Sequence, residues 1–365
     1  MTVNLRENLI ILLLLTCLSL SSCNNDPHNN DDYETINAGD FNEIITFEDE
    51  VLASPGLITT KGKDKLAVLD AGHEKVVVVS TEGEKDFSFG GYGGAAGEWG
   101  AEASPANMSL SANRNSFMIS DPGHAMIHLY DSNGNSTRSL PLNDYLHQQD
   151  ITLLVDDMVL AVTNGEQNSL AQAYEITEDM TPITSYGTPL TEPVSDTGIN
   201  MHEIRDQLAN GTVPDALKNE AIADGSNDQI AIILNSLGEV LLYDINGELK
   251  WRKELPAYVS DPLWQRAIAM NEEIPSSDAA YSPLQMATGI EIMNNKVYVL
   301  TMGTDDDDEI DQFMLIYSTD GQLVDSYRIK DEEGVLALAD FIVMPDETIY
   351  FTDFANAELL KFDEL

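Results

Sequence analysis

The chain has 365 residues, with 63 Asp and Glu against 18 Lys and Arg, a formal net charge of −45 at pH 7. A surface of that sign repels nucleic acid and anionic lipid; it suits a salt-rich exterior, cations or basic partners. Hydrophobic residues make up 43% of the chain, enough for a core, so this is not the acidity of a disordered polypeptide.

Residues 1–23 read MTVNLRENLIILLLLTCLSLSSC. Arg6 supplies a short charged start. The apolar run from Leu9 to Leu20 is about a dozen residues, short of the ~20 that a membrane-spanning helix needs. That length suits the apolar core of a signal peptide. The run ends in Leu20-Ser21-Ser22-Cys23, which resembles the lipobox of bacterial lipoproteins, where small residues precede a Cys that is acylated and becomes the new N-terminus. The resemblance implies a lipoprotein signal peptide over residues 1–22 and lipid on Cys23. It also implies a place in a bacterial cell envelope, on the outer membrane through the lipid alone, facing the periplasm or the cell surface. The competing reading is an ordinary signal peptide with an incidental Cys, or an uncleaved anchor. Cleavage would also remove Cys17, leaving no disulfide, thiol nucleophile or Cys-based metal site.

After Cys23 comes NNDPHNNDDYE, polar and acidic, so residues 23–40 read as a flexible tether. Phe41-Asn-Glu-Ile-Ile-Thr-Phe47 then forms an isolated strand pattern. From there a unit repeats: apolar strand, a turn opening with Asp, a second strand, a Gly turn, a third strand. Leu66–Asp70, Lys75–Ser80 and Lys85–Gly90 make the first copy, and Ser116–Asp121, Ala125–Asp131 and Asn135–Leu142 the second. Further copies fall at Met158–Gly187, Gln229–Leu255, Lys296–Ile329 and Thr348–Leu365, the last stopping one strand early. Each is preceded by a short strand candidate, such as Leu336–Met344. Four strands at a period of roughly 50 residues describe propeller blades. Residues 41–365 are therefore expected to form an all-β, six-bladed β-propeller of four-stranded antiparallel blades, with Phe41–Phe47 completing the last blade. Asn133-Gly134, Asn246-Gly247 and Asp320-Gly321 read as two-residue hairpin turns, with positive φ at both positions.

Asp70-Ala-Gly-His73, Asp121-Pro-Gly-His124 and Asp353-Phe-Ala-Asn356, each followed by an apolar strand, resemble the Asp-x-x-Asn/His turn of NHL-like six-bladed propellers. The nearest resemblance is to the propeller lipoproteins of Bacteroidetes-type bacteria. The run Phe89 to Trp99 is similar to that family's Gly-rich link, although Ala95-Ala96 stand where Gly-Pro is expected. The resemblance implies the fold and says little about activity.

Chemistry-bearing patterns are sparse. Gly91 to Ala96 approach a dinucleotide fingerprint, but no helix period follows, so a tight interblade link is the better reading. His73 and His124 recur with the repeat and read as turn residues beside Asp70 and Asp121. His128, His147 and His202 have no recognisable partners in the sequence. The acidic run Thr304–Asp311 could offer oxygen ligands to Ca²⁺ through Asp305, Asp307 and Glu309, against the plainer reading of a solvated loop. No other cofactor is expected. Glu291 and Asp340 sit where inner strands would place them, which keeps a metal-dependent lactone or ester hydrolase at the central channel as the alternative activity.

The favoured expectation is a binding or scaffold module for a ligand or cell-envelope protein. Thr188–Leu217 and Pro256–Met286 are long interblade insertions with helix-like stretches at Met201–Leu208 and Pro262–Met270. These, with Gly91–Pro105 and Gly303–Gln312, fall on one face of a propeller, where long ordered loops carry binding. Trp264, Tyr258 and Trp99 are the expected contacts, because aromatic side chains bury much area at little entropy cost.

Overall fold

A computed structural model describes residues 33–363 apart from 38–39, 47–50, 96, 101–107, 114, 122–123, 142–150, 155–157, 178–179, 194–199, 227, 304–309 and 331–335. The chain divides into two units, Met1–Glu34 and Thr35–Leu365, and the architecture is that of the second. Cys23 and the apolar run before it lie outside the described residues. No helix among the described residues is long and apolar enough to cross a membrane.

Six sheets, each of consecutive antiparallel strands, follow one another along the chain as the blades of a six-bladed β-propeller. The first is β3 (Pro55–Thr60), β4 (Lys65–Asp70), β5 (Lys75–Ser80) and β6 (Lys85–Phe89). The second is β7 (Leu110–Ala112), β8 (Ser116–Asp121), β9 (Met126–Asp131) and β10 (Ser136–Pro141). The third is β11 (Ile151–Leu153), β12 (Met158–Val162), β13 (Ala171–Glu175) and β14 (Thr181–Tyr186). The fourth is β15 (Ala221–Gly225), β16 (Gln229–Leu234), β17 (Glu239–Asp244) and β18 (Leu249–Glu254). The fifth is β19 (Ala287–Met293), β20 (Lys296–Thr301), β21 (Gln312–Ser318) and β22 (Leu323–Lys330). The sixth is β23 (Leu338–Val343), β24 (Ile349–Asp353) and β25 (Glu358–Phe362), completed by β2 (Asn42–Ile45).

That last pairing closes the ring as expected. Asn42 faces Lys361 and Ile45 faces Leu359 across the β2–β25 ladder. Phe41 is buried and sets its ring edge-on to Phe351 at 5.5 Å. The tether reading of residues 23–40 fails at its end, because β1 (Glu34–Asn37) adds a fifth strand beside β22. Its Ile36 is 4% exposed. An outer strand leaves a row of unpaired backbone groups, and β1 pairs with them while Ile36 packs in the cluster that holds Tyr327 and Ile329.

The hydrophobic core lies between blades. Leu69, Val78 and Phe89 of the first blade pack with Phe117, Ile119 and Tyr130 of the second. Leu160 and Val162 of the third meet Ile230 and Ile232 of the fourth. Strands covered on both sides need apolar residues at successive positions, which Val76–Val79 and Ile230–Ile233 supply, all at most 1% exposed. Outer strands are exposed on one side and alternate accordingly, as in Ser136–Pro141.

The hairpin turns differ from the expected two-residue form. Among Asn133, Asn246, Asp320 and the glycines that follow them, only the glycines have positive φ. Gly134 N–H donates to Asp131 O at 3.0 Å, and the Asp131 carboxylate accepts from the N–H groups of Asn133 and Asn135. This is a type I turn followed by a left-handed glycine and a bulge. Gly321 is required twice over: its φ is +81°, and a Cβ would meet Trp251 of the preceding blade at 2.9 Å. Trp251 Nε1 in turn donates to Thr319 O at 3.0 Å.

Candidate functional site

Strand order fixes two faces. Turns between second and third strands, and links from each outer strand to the next inner one, share the face opposite the Gly hairpins. That face carries the two long helices of the described chain, α1 (Met201–Ala209) and α2 (Ala257–Glu273). Asn200 caps α1 by accepting from Glu203 N–H at 3.4 Å. The first turn of α2 precedes Pro262, although Pro262 was the expected start. The extension holds because Val259, Leu263, Ala267 and Asn271 form one buried stripe across the proline. Arg205 of α1 is 6% exposed and donates to the carbonyls of Pro275 and Asp278, tying the two insertions together.

Of the expected contacts, Trp264 and Tyr258 are both on α2 and half-buried. Tyr258 is an anchor: its hydroxyl lies 2.8 Å from Ser326 Oγ and its ring 5.3 Å from that of Phe313. Trp99 is corrected outright. It is 1% exposed, stands edge-on to Tyr92 at 6.2 Å and leaves no room for a Cβ on Gly90. Its aromatic area fills the seam between the first two blades and is not presented to solvent. Asp305, Asp307 and Glu309 lie outside the described residues, as does His147. An open concavity of about 490 Å³ runs along α1, lined by Asn200, His202, Glu203, Asp206, Gln207 and Asn210. A smaller cleft of about 150 Å³ lies beside α2, with Leu263, Ala267 and Met270 facing Pro283, Leu284 and Met302.

The six inner strands surround a central cavity of about 140 Å³. It adjoins a second concavity of about 400 Å³ toward the hairpin face, and the two share Thr59, Ser111, Thr152, Asp224 and Glu291. Glu291 and Asp340 do converge on the central cavity, joined by Asp224, which the sequence reading missed. Each carboxylate caps the inner strand of the next blade. Ile292 N–H donates to Asp224 Oδ2 at 2.9 Å, Val343 N–H to Glu291 Oε2 at 2.6 Å, and Ile58 N–H to Asp340 Oδ2 at 2.9 Å. Ser109 Oγ does the same for Ile151 N–H at 3.0 Å. Inner-strand backbone groups facing a channel have no ladder partner, so side chains must satisfy them. Burial pushes Asp224 up to about 6 and Asp340 up to about 7. Glu291 is pushed well up by burial, then by the charges of Asp224 and Asp340.

At the corner between second and third strands, a buried Asp organises the turn in three blades. Asp70 accepts from the N–H groups of Ala53, Ser54 and Gly72, and lies 2.6 Å from His73 Nδ1. Asp353 accepts from Ala355 and Asn356 N–H and from Asn356 Nδ2. Asp121 accepts from Gly100 and His124 N–H, and its Oδ2 lies 2.8 Å from His124 Nδ1. The turn reading of His73 and His124 therefore holds. His128 does have a partner, contrary to expectation: its Nε2 is 3.0 Å from Asp121 Oδ2 and its Nδ1 2.8 Å from Ser139 Oγ. Among the described residues, Asp121, His124 and His128 are the one set of three His, Cys, Asp or Glu whose ligand atoms all lie within 4.8 Å of one another. The overlooked signal was in the repeat: Val77 and Leu360 occupy the position of His128 in the first and sixth blades.

No family model matches the chain, and no curated protein does. Among solved structures it is similar to virginiamycin B lyase from Staphylococcus aureus, at 12% identity and a TM-score of 0.46, over 88% of this chain and 98% of that one. It is also similar to a protein of unknown function from Bacteroides caccae, at 13% identity and a TM-score of 0.42, over 80% and 83%. A third, of unknown function from Bacteroides thetaiotaomicron, gives 10% identity and a TM-score of 0.46 over 85% and 69%. No activity passes to this chain from likeness at that level, and its architecture rests on its own strand order.

Proposed function

We propose that this chain is an exported lipoprotein, anchored through Cys23, whose propeller binds a basic partner in the cell envelope on the face bearing α1 and α2. The observation that carries this reading is that α1 and α2, from different interblade links, are tied together on one face of the ring. Arg205 bridges them and Tyr258 fixes α2 to the fifth blade. Met201 and Met270 are exposed on this two-helix platform at 46% and 39%. The sign of the partner follows from the net charge of −45 and from Glu203 and Asp206 along the α1 concavity. The hairpin face carries a concavity of about 400 Å³ at the channel mouth, lined by Asp224, Asp228, Glu291 and Asn294, but its turns are short and, among the described residues, bear no inserted helix.

The test compares paired substitutions in two places. Trp264→Ala with Met270→Ala alters the platform; Ile183→Ala with Leu249→Ala alters the exposed sides of outer strands. Solubilised envelope is passed over each immobilised full-length chain. The platform pair loses the species that wild type retains, and the outer-strand pair keeps it. Loss with the outer-strand pair alone, or equal retention by both, contradicts the reading.

A further inference from the structure

We propose that Asp121, His124 and His128 in the second blade form a binding site for a late first-row divalent metal ion, zinc in the first instance. The Asp turn does not need His128. The same turn closes in the first blade with Val77 and in the sixth with Leu360, both 2% exposed or less. In the second blade an imidazole, 4% exposed, takes that apolar position. A buried polar ring where the repeat packs hydrocarbon calls for a specific partner.

The geometry supplies one. Asp121 Oδ2 faces His124 Nδ1 at 2.8 Å and His128 Nε2 at 3.0 Å. Two ligand atoms on one tetrahedral zinc, bonded at about 2.0–2.1 Å, stand about 3.3 Å apart, so both nitrogen–carboxylate distances need open by only a few tenths of an ångström, and the two nitrogens lie within 4.8 Å of one another. Ser139 Oγ, 2.8 Å from His128 Nδ1, can accept a hydrogen bond from Nδ1–H, which leaves Nε2 with its lone pair toward Asp121. Gly100 and His124 N–H groups hold the Asp121 carboxylate in place. The His124 side chain is 40% exposed, which gives the ion an entrance and leaves its fourth position to water. Two imidazoles and one carboxylate favour zinc or its neighbours over Ca²⁺ and Mg²⁺, which prefer all-oxygen sets. The first blade is an internal control: Asp70 and His73 repeat the pair, and Val77 withholds the third ligand.

The experiment uses the full chain on a tag without histidine, stripped of metal, in 0.2 M salt with excess Ca²⁺ to occupy the acidic surface. Co²⁺ is titrated and its visible absorption followed, then Zn²⁺ is added to displace it. One saturable equivalent is expected. His128→Val and His124→Asn place residues that other blades already use at these positions. Each should weaken binding by more than the roughly 10–100-fold that outer partners of a metal ligand cost. His73→Asn should change nothing. Circular dichroism melts confirm that the variants fold. The proposal is overturned if wild type shows no saturable Co²⁺ or Zn²⁺ binding, if both His128→Val and His124→Asn bind as wild type does, or if His73→Asn abolishes binding.

Discussion

Asp340, on the inner strand of the sixth blade, accepts a 2.9 Å hydrogen bond from the backbone N–H of Ile58, on the inner strand of the first. The same device joins the fourth blade to the fifth through Asp224 and the fifth to the sixth through Glu291. Three carboxylates thus stitch consecutive seams and share one small cavity.

This arrangement predicts a pH signature. Burial raises Asp340 from its ordinary 3.8 to about 7 in the folded chain. A raised carboxyl pKa means that folding favours the protonated form, so the native state is penalised as pH rises from about 4 to about 7. Asp340 is half-buried with part of its surface toward the cavity, which discounts the effect. The stability of Asp340→Asn relative to wild type should therefore rise across that window by on the order of 1–2 kcal/mol. Urea unfolding at pH 4.5, 6 and 8 measures the difference; a flat difference sinks the idea.

Ring closure makes a second prediction. Ile45 of β2 is 1% exposed and packs with Val68 and Leu359, from the first and sixth blades. Although β2 is a lone segment at the start of the ring, Ile45→Ala should cost about 2–4 kcal/mol, as deep core sites do. Removing residues 41–48 should broaden and lower the thermal transition. A cost under about 1 kcal/mol for Ile45→Ala, or an unchanged melt for the deletion, contradicts closure by this strand.

The fold was readable because a repeat states its rule several times. Apolar strands, Asp corners and Gly turns return at a regular period, and each copy supports the others. Side-chain destinations were less readable. Trp99 follows a Gly-rich link that looks like a surface loop, yet Gly90 lets the indole lie against the backbone. Asp224 sits in Ala-Asp-Gly, where nothing local marks a channel carboxylate; only the ring brings it to Glu291 and Asp340. His128 was overlooked because its partner is seven residues back, across a corner.

Trp99 yields the corresponding stability prediction. Trp99→Ala should cost about 3–5 kcal/mol and leave partner binding per folded molecule unchanged. Tyr258→Phe removes one hydroxyl contact and should cost about 1 kcal/mol. Chemical denaturation checks both. A Trp99→Ala chain with wild-type stability would return that residue to the surface.

The proposed anchor predicts that Cys23→Ala releases the chain from the membrane fraction and abolishes metabolic labelling with a tagged fatty acid. Retention in the membrane with normal processing would remove the lipoprotein reading and leave the propeller untouched.

The platform face is tested most directly by photo-crosslinking in intact cells. A benzophenone amino acid is placed singly at Met201, Trp264 and Met270, and at Asn133 and Asn246 on the hairpin face. A discrete, shared adduct is expected from the three platform positions and none from the two hairpin positions. An adduct formed from Asn133 and Asn246 but not from Met201, Trp264 or Met270 would place the binding surface on the opposite side of the ring.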